Sequence, residues 1–563
     1  MSQWVPSVLQ FDTIPYAFRT GGDLDTVDKI LGRYSSTMPG GGVELPLGIP
    51  DRSFFWRNNG LYRFGQNDDH TVKYSGLPHL GFAYVFGTQG TQVAKLNYQQ
   101  VYGKKVLANF NLSNDRSNGF LRFGSHRVNR MDLNLLKKGE QWSMRLTARD
   151  LVNESSLNGG MVSSADASEF PLVFLGVNKR AASSKFRRSS LKLENYFDFN
   201  KDSTRSIGLL TEHTLNIDRR TFNELDTVFG IYPEINFDSL QTNDSYQYSR
   251  TDHAIGIFKG GKGHYFSLSV SESYWKYYHP GTDLDSLETA LHAKAQWRMS
   301  NWVFNGKGYF NLIGSGNEWD ASIKAVGRIN ELEVSSHLLV EQKWPMQFQR
   351  SYLANNYSYV LGDYDLQFRT NWSTLVEYNL HKWTVFANYS LTYLKDNYFF
   401  DPASAVWSSS FYPELIFNSA RIGAQYSGHY FSFSSDYMYT LEGQSGNMIP
   451  DHILIARGQL KGTLFKSKKL KAYIGSEFFI SSGAEMITFI PSMDTYILGQ
   501  GMGSYSSILN AHVFGGFQID EFRFFVRFEN LGYLWNDRTL QTVQGYPFPS
   551  GQLRLGITWD FFN

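Results

Sequence analysis

From about residue 80 onward, this 563-residue chain alternates apolar and polar side chains with a period of two. The runs exceed the ~5–6 residues usual in soluble sheets. Between 141 and 151, Trp142, Met144, Leu146 and Ala148 share one face, and Ser143, Arg145, Thr147 and Arg149 the other. Between 470 and 481, Leu470, Ala472, Ile474, Phe478 and Ile480 oppose Lys471, Tyr473 and Glu477. Between 521 and 533, Phe522, Phe524, Val526 and Phe528 oppose Glu521, Arg523, Arg527 and Glu529. The last run sets Leu553, Leu555, Ile557, Trp559 and Phe561 against Gln552, Arg554, Thr558 and Asp560. Each run reaches the ~9–11 residues that a tilted strand needs to cross a bilayer.

A soluble sandwich also alternates, so the connections decide. One set is short: 102–104, 137–140, 200–203, 259–262, 300–301, 330–331, 380–382, 427–429, 466–469 and 519–521. The intervening set is mostly long: 115–125, 152–185, 218–246, 275–286, 343–366, 396–413, 441–451, 482–504 and 534–549. Only 88–90 and 314–317 break that parity. Short turns at one rim and long loops at the other describe a transmembrane barrel with turns in the periplasm and loops outside. The expectation is therefore an all-β fold: one transmembrane antiparallel β-barrel over residues 80–563. It has about 22 strands, with boundary error spanning 20 to 24, and both termini in the periplasm. Residues 1–79 carry breakers such as Pro39-Gly40-Gly41-Gly42, Pro46 and Pro50, and one short helical suggestion at 25–31. They read as an N-terminal periplasmic segment or a partial plug.

Composition removes the competing classes. With no Cys, disulfide scaffolds and thiolate metal sites are excluded. Fifty-three basic against 52 acidic residues give a net charge of +1, which provides no footprint for nucleic acid. The 16% aromatic content argues against disorder. No apolar run approaches the ~18 residues of a helical span. The longest, 170–177, is interrupted by Pro171 and Gly176. Met1-Ser2-Gln3-Trp4 has neither a basic start nor an apolar core, so the strand pattern implies a processed mature chain in the outer membrane.

Particular motifs resemble a known family. They are Tyr74-Ser75-Gly76-Leu77-Pro78-His79-Leu80-Gly81-Phe82, Phe86-Gly87-Thr88-Gln89-Gly90-Thr91-Gln92, Ser117-Asn118-Gly119-Phe120-Leu121-Arg122 and Gly159-Gly160. Near the end come Glu529-Asn530-Leu531, Tyr546-Pro547 and Gly556-Ile557-Thr558-Trp559-Asp560-Phe561. With them the chain resembles the putative porins of Bacteroidota outer membranes. The motifs cover the first third of the barrel and the C-terminus; the middle matches by pattern only. The resemblance implies location and fold more firmly than transport. It makes porin-like passive passage of small hydrophilic solutes the expected function, with no bond made or broken and no cofactor. The alternative is a non-conducting barrel that serves as a subunit of a larger outer-membrane machine for assembly, secretion or uptake. Expected partners are the bilayer and lipopolysaccharide, the barrel-assembly machinery, and other outer-membrane proteins or surface lipoproteins.

Inward charges are the raw material of a pore. The candidates facing the lumen are Arg130, Asp132, Arg145, Arg149, Lys307, Lys471, Glu477, Arg523, Arg527, Glu529 and Arg554. Both signs are mixed among them, which leaves pairing with one another or holding residues 1–79 as the alternative role, and no ion selectivity is assigned. Leu553, Leu555, Ile557, Trp559 and Phe561, on an aromatic-rich last strand, resemble the signal read by barrel-assembly machinery. Other motifs have plain readings. Gly256 to Gly263 nearly spells a phosphate-binding loop, but position 263 is Gly rather than Ser or Thr, and a strand follows instead of a helix. His213 lies on the apolar stripe of Ile207, Leu209 and Leu215 and reads as an interfacial histidine. Asp23, Asp25 and Asp28 lack calcium-loop spacing, and they, like Asp283 and Asp285 in an expected outer loop, read as solvated acidic turns.

Overall fold

The computed structural model describes residues 77–563 except 104, 201–204, 226–234, 262, 361–363, 402–405, 410–412, 443–448, 467–468, 494, 499–502 and 563, together with the pairs 12–13 and 73–74. The expected N-terminal segment, with Asp23, Asp25 and Asp28, otherwise lies outside the described residues.

Twenty-two strands close into one barrel. The first half comprises β1 His79–Gly87, β2 Gln92–Tyr102, β3 Val106–Ser117, β4 His126–Lys137, β5 Trp142–Ser156, β6 Ala182–Asp198, β7 Arg205–Glu224, β8 Thr242–Gly261, β9 His264–His279, β10 Thr282–Met299 and β11 Trp302–Ile313. The second comprises β12 Trp319–Ile329, β13 Leu332–Lys343, β14 Gln367–Leu380, β15 Trp383–Lys395, β16 Glu414–Ser427, β17 Phe431–Glu442, β18 His452–Leu464, β19 Leu470–Ser481, β20 Ile508–Ile519, β21 Phe522–Glu529 and β22 Gln552–Phe562. Sequence neighbours pair antiparallel throughout, and β1 closes on β22 from His79↔Phe562 to Gly87↔Arg554. Closure leaves no open edge, the condition for a sheet in lipid.

Connections sort by rim. Four short ones are two-residue turns whose first residue is left-handed: Ser300, Asn330, His381 and Asp520, with φ of 51°, 53°, 49° and 48°. Such turns match the twist of the flanking strands. The segment resembling a phosphate loop is another hairpin: β8 ends at Gly261, and Gly263 has φ 84°.

Three expected loops are shorter than their sequence suggests. The stretch 275–286 is not a loop; β9 runs to His279 and β10 starts at Thr282. Alternation persists there, with Trp275 and Tyr277 buried inside and Tyr274 and Tyr278 exposed outside. Asp283 and Asp285 therefore sit on a strand. Lys276 Nζ is 3.1 Å from Asp283 Oδ2, and the Tyr274 hydroxyl donates to Asp285 Oδ2 at 2.9 Å. The loop expected at 218–246 contracts to 225–241, and that at 152–185 to 157–181.

The outer face carries the exposed apolar residues of the alternation, among them Phe82, Ile255, Phe266, Ile323, Ile422 and Ile474. Near the short-turn rim they give way to paired rings: Trp383–Tyr426 at 4.9 Å, Trp559–Phe561 at 4.7 Å and Phe522–Trp559 at 5.7 Å between centroids. Trp383, Tyr426 and Trp559, whose rings are amphipathic, favour the interface between hydrocarbon and water and mark one border of the lipid band.

Candidate functional site

The inner wall is polar and charged. On β19–β22, Arg527 Nε lies 3.1 Å from Glu529 Oε1, and Arg554 Nε lies 2.7 Å from Glu529 Oε2. Arg527 Nη2 also reaches Glu477 Oε1 at 3.6 Å. Arg523 stands four positions from Arg527 on the same face of β21. All five side chains are buried, none more than 5% exposed. The same stretch of inner wall carries the buried apolar cluster of Val85, Val93, Phe514 and Phe525.

A second group lies on β4 and β5. Asp132 is directly opposite Arg149, whose Nε is 3.7 Å from its carboxylate. Arg145 donates to Asn134 Oδ1 at 3.5 Å, and Arg130 is exposed on the same face. Lys307 faces Lys294 across β10–β11, and Lys471 is opposite Gln518. The structure thus gathers nine of the eleven candidates into two groups and leaves Lys307 and Lys471 apart from them. Leu553, Leu555, Ile557, Trp559 and Phe561 line the outer face of β22 beside Phe522 and Phe524 of β21.

Sequence reading missed a richer patch on β6–β10. Lys192 Nζ bridges Glu194 at 3.3 Å and Glu212 at 3.0 Å. Arg250 bridges Asp252 at 2.7 Å and Glu288 at 3.3 Å. Ser271 Oγ is 2.7 Å from His292 Nε2, and Ser273 donates to Asp252 at 2.5 Å. Glu194, Glu212, Arg250, Asp252, Ser271, Ser273 and His292, with Tyr196, Tyr265 and Lys294, line a recess of about 240 Å³. Lys192 and Glu194 alternate with Leu191 and Leu193, so the signal was present. Their partners lie on other strands and become visible only with the register.

The long-loop rim is roofed. Phe120, Leu157, Leu172, Phe399, Ile487, Phe489 and Tyr546, from loops spread around the barrel, share one apolar core. A second core joins Tyr277, Phe348, Tyr352, Tyr359, Phe400 and Trp407. Trp407 donates to the Tyr359 hydroxyl at 2.7 Å, and burial pushes the Tyr352 phenol up to about 12. Contacts span the mouth. Arg220 of β7 donates to the Ser492 carbonyl at 2.6 Å, from nearly the opposite side of the ring. The Asn355 amide accepts from Phe237 and Asp238 N–H groups at 2.9 Å each, tying loop 344–366 to loop 225–241.

The short motifs noted in the sequence converge in this roof. Met161 N donates to the Gly545 carbonyl at 2.8 Å, beside Gly159 and Gly160, both at positive φ. Asn158 donates to the Arg122 carbonyl at 2.9 Å, and Asn118 N to the Gln89 carbonyl at 2.8 Å. Turn residues in loops far apart in sequence are thus one contact surface.

His213 lies on the outer face, its Nδ1 2.9 Å from Nδ1 of His253. Among the described residues, no cluster of three or more His, Asp or Glu side chains is arranged to hold a metal.

Solved structures share this architecture. The copper transporter OprC superposes with a TM-score of 0.61 at 11% identity, covering 87% of this chain and 82% of that one. The siderophore receptor PirA from Acinetobacter baumannii gives 0.60 at 10%, covering 87% and 81%. The ferric enterobactin receptor PfeA from Pseudomonas aeruginosa gives 0.61 at 10%, also covering 87% and 81%. At such identities the likeness establishes the fold alone. No curated protein matches in sequence. The family of putative porins matches residues 70–563, nearly the whole chain and all of its barrel, so the chain belongs to the putative porin family of outer-membrane β-barrels.

Proposed function

We propose that this barrel conducts small hydrophilic solutes passively across the outer membrane, with opening controlled by its roof. The observation that carries this reading is the polar inner wall. A 22-strand barrel encloses more space than its own side chains fill. Here that space is lined largely by acids, bases, serines and amides, interrupted by small apolar patches such as Val85, Val93, Phe514 and Phe525 and Val128, Leu151 and Phe186. Mixed signs suit neutral or zwitterionic solutes better than one ion class. The long-loop rim faces outside in this reading, and both chain ends face the periplasm. The chemistry is non-enzymatic.

The expected N-terminal segment, ending before the first barrel residue His79, forms a partial plug in this proposal. The burial of Glu477, Arg523, Arg527, Glu529 and Arg554 on the inner wall supports occupancy of that sector. Last-strand residues Leu553 to Phe561 serve as the assembly signal. A second reading, a non-conducting subunit of a larger envelope machine, is favoured by the continuous apolar core of the roof. Proteoliposome swelling in small sugars separates the two. Slow swelling with the full chain, faster after removal of residues 1–78, is expected. No swelling in either form would favour the subunit.

A further inference from the structure

We propose that the outer face of β3–β7, just beyond the lipid band, binds the phosphorylated headgroup of an outer-leaflet glycolipid. The proposal rests on the reading that the long-loop rim faces outside.

Register places Arg116 of β3 directly opposite Arg127 of β4, and Arg187 of β6 directly opposite Arg219 of β7. Like charges opposite each other in a sheet are destabilising unless an anion sits between them. Lys395 and Glu414, opposite each other on β15 and β16, show the ordinary complementary arrangement. Within the patch Lys185 is 2.7 Å from Glu154, and Arg187 is 2.9 Å from Asp150. Five cations (Arg116, Arg127, Lys185, Arg187, Arg219) thus meet two carboxylates, a surplus of three positive charges. Glu154 stands directly opposite Arg127 across β4–β5 but pairs with Lys185, and among the described residues Arg116, Arg127 and Arg219 have no acidic partner within ion-pair distance.

Height along the barrel supplies the second argument. On the outer face Arg116 follows Leu112 and Asn114, and Arg127 follows Met131 and Asn129. Arg187 follows Leu191 and Ser189, and Arg219 follows Leu215 and Ile217. Each strand crosses from apolar to cationic at the border of the band, where lipid phosphates lie. Guanidinium pairs recognise phosphate through charge-assisted, bidentate bonds, and surface cations attract anionic lipid.

Delipidated full-length protein in detergent should retain bisphosphorylated lipid A in native mass spectra. Affinity should fall stepwise for the monophosphorylated and dephosphorylated lipids. The double variant Arg127→Gln/Arg219→Gln should bind about tenfold more weakly, with its heat-resistant gel mobility unchanged. Equal retention of the dephosphorylated lipid, equal binding of phosphatidylglycerol, or full competition by inorganic phosphate would overturn the glycolipid site. So would unchanged binding by the folded variant. Labelling of Thr539→Cys by an impermeant maleimide on intact cells tests orientation separately. Its absence would overturn the outward reading of the long-loop rim while leaving the detergent affinities to stand.

Discussion

His79 and Asp560 lock the barrel seam from inside, with Nε2 3.1 Å from Oδ1 and both side chains on the inner face of the first and last strands. The pair sits at the short-turn end of the β1–β22 ladder, whose nine register pairs are the sole closure of the sheet. Removing residues 551–563 would expose two strand edges to lipid, where unpaired backbone groups cost several kcal/mol each. The truncated chain should lose heat-resistant mobility on semi-native gels and fail to accumulate in the outer membrane. Normal membrane levels would refute the assignment of the last strand.

Facing can be tested with adjacent residues. Phe524 packs against Phe517 on the outer face, with centroids 5.3 Å apart, while Arg523 is buried inside. An arginine on the lipid side costs about 2–4 kcal/mol near the midplane. Phe524→Arg should therefore reduce folded yield well beyond Arg523→Phe. Equal losses in a urea-folding titration would place the register one residue off.

The roof depends on a close backbone approach at Gly160. Its φ is 79°, and a Cβ there would stand 2.8 Å from the Gly545 carbonyl oxygen. Gly160→Ala should loosen loop 157–181 from loop 530–551 at a cost of about 1–3 kcal/mol. Limited proteolysis should then cut between 157 and 181 while barrel mobility on gels stays intact. Unchanged resistance would mean that this contact does not hold the roof.

Lys179 and Glu224 form an ion pair that joins the same loop to the end of β7, and both side chains are fully buried. Removing one partner strands a buried charge, at about 3–5 kcal/mol, whereas replacing both with apolar residues costs far less. Lys179→Met alone should sensitise the loop to protease more than Lys179→Met/Glu224→Leu does. Equal sensitivity would show that the pair is solvated in solution.

Period-two patterning made the wall legible because one face of each strand meets lipid and the other meets polar groups. Loop parity then chose a membrane barrel over a sandwich. The hairpin around Pro280-Gly281 was misread because Asp283, Asp285 and Ser286 look like turn residues, yet above the lipid band a strand needs no apolar outer face. The roof was not legible at all. Phe120, Leu172, Phe489 and Tyr546 lie in segments without periodicity, and what unites them is contact across the mouth, not spacing along the chain. Among the inner charges, alternation gave the facing of Glu477, Arg527 and Arg554. Which carboxylate each arginine meets is set by register and by side-chain reach.

A lumen lies beneath a roof of interlocked loops. Planar-bilayer recording tests it most directly, comparing the full chain with a variant whose segment 485–503 is replaced by a short Gly-Ser turn. That segment carries Ile487, Phe489 and the Ser492 carbonyl that Arg220 reaches across the mouth. Brief, small openings are expected in the full chain and large, steady conductance in the variant. Large steady conductance in the full chain would contradict the roof, and silence in both would contradict the conduit.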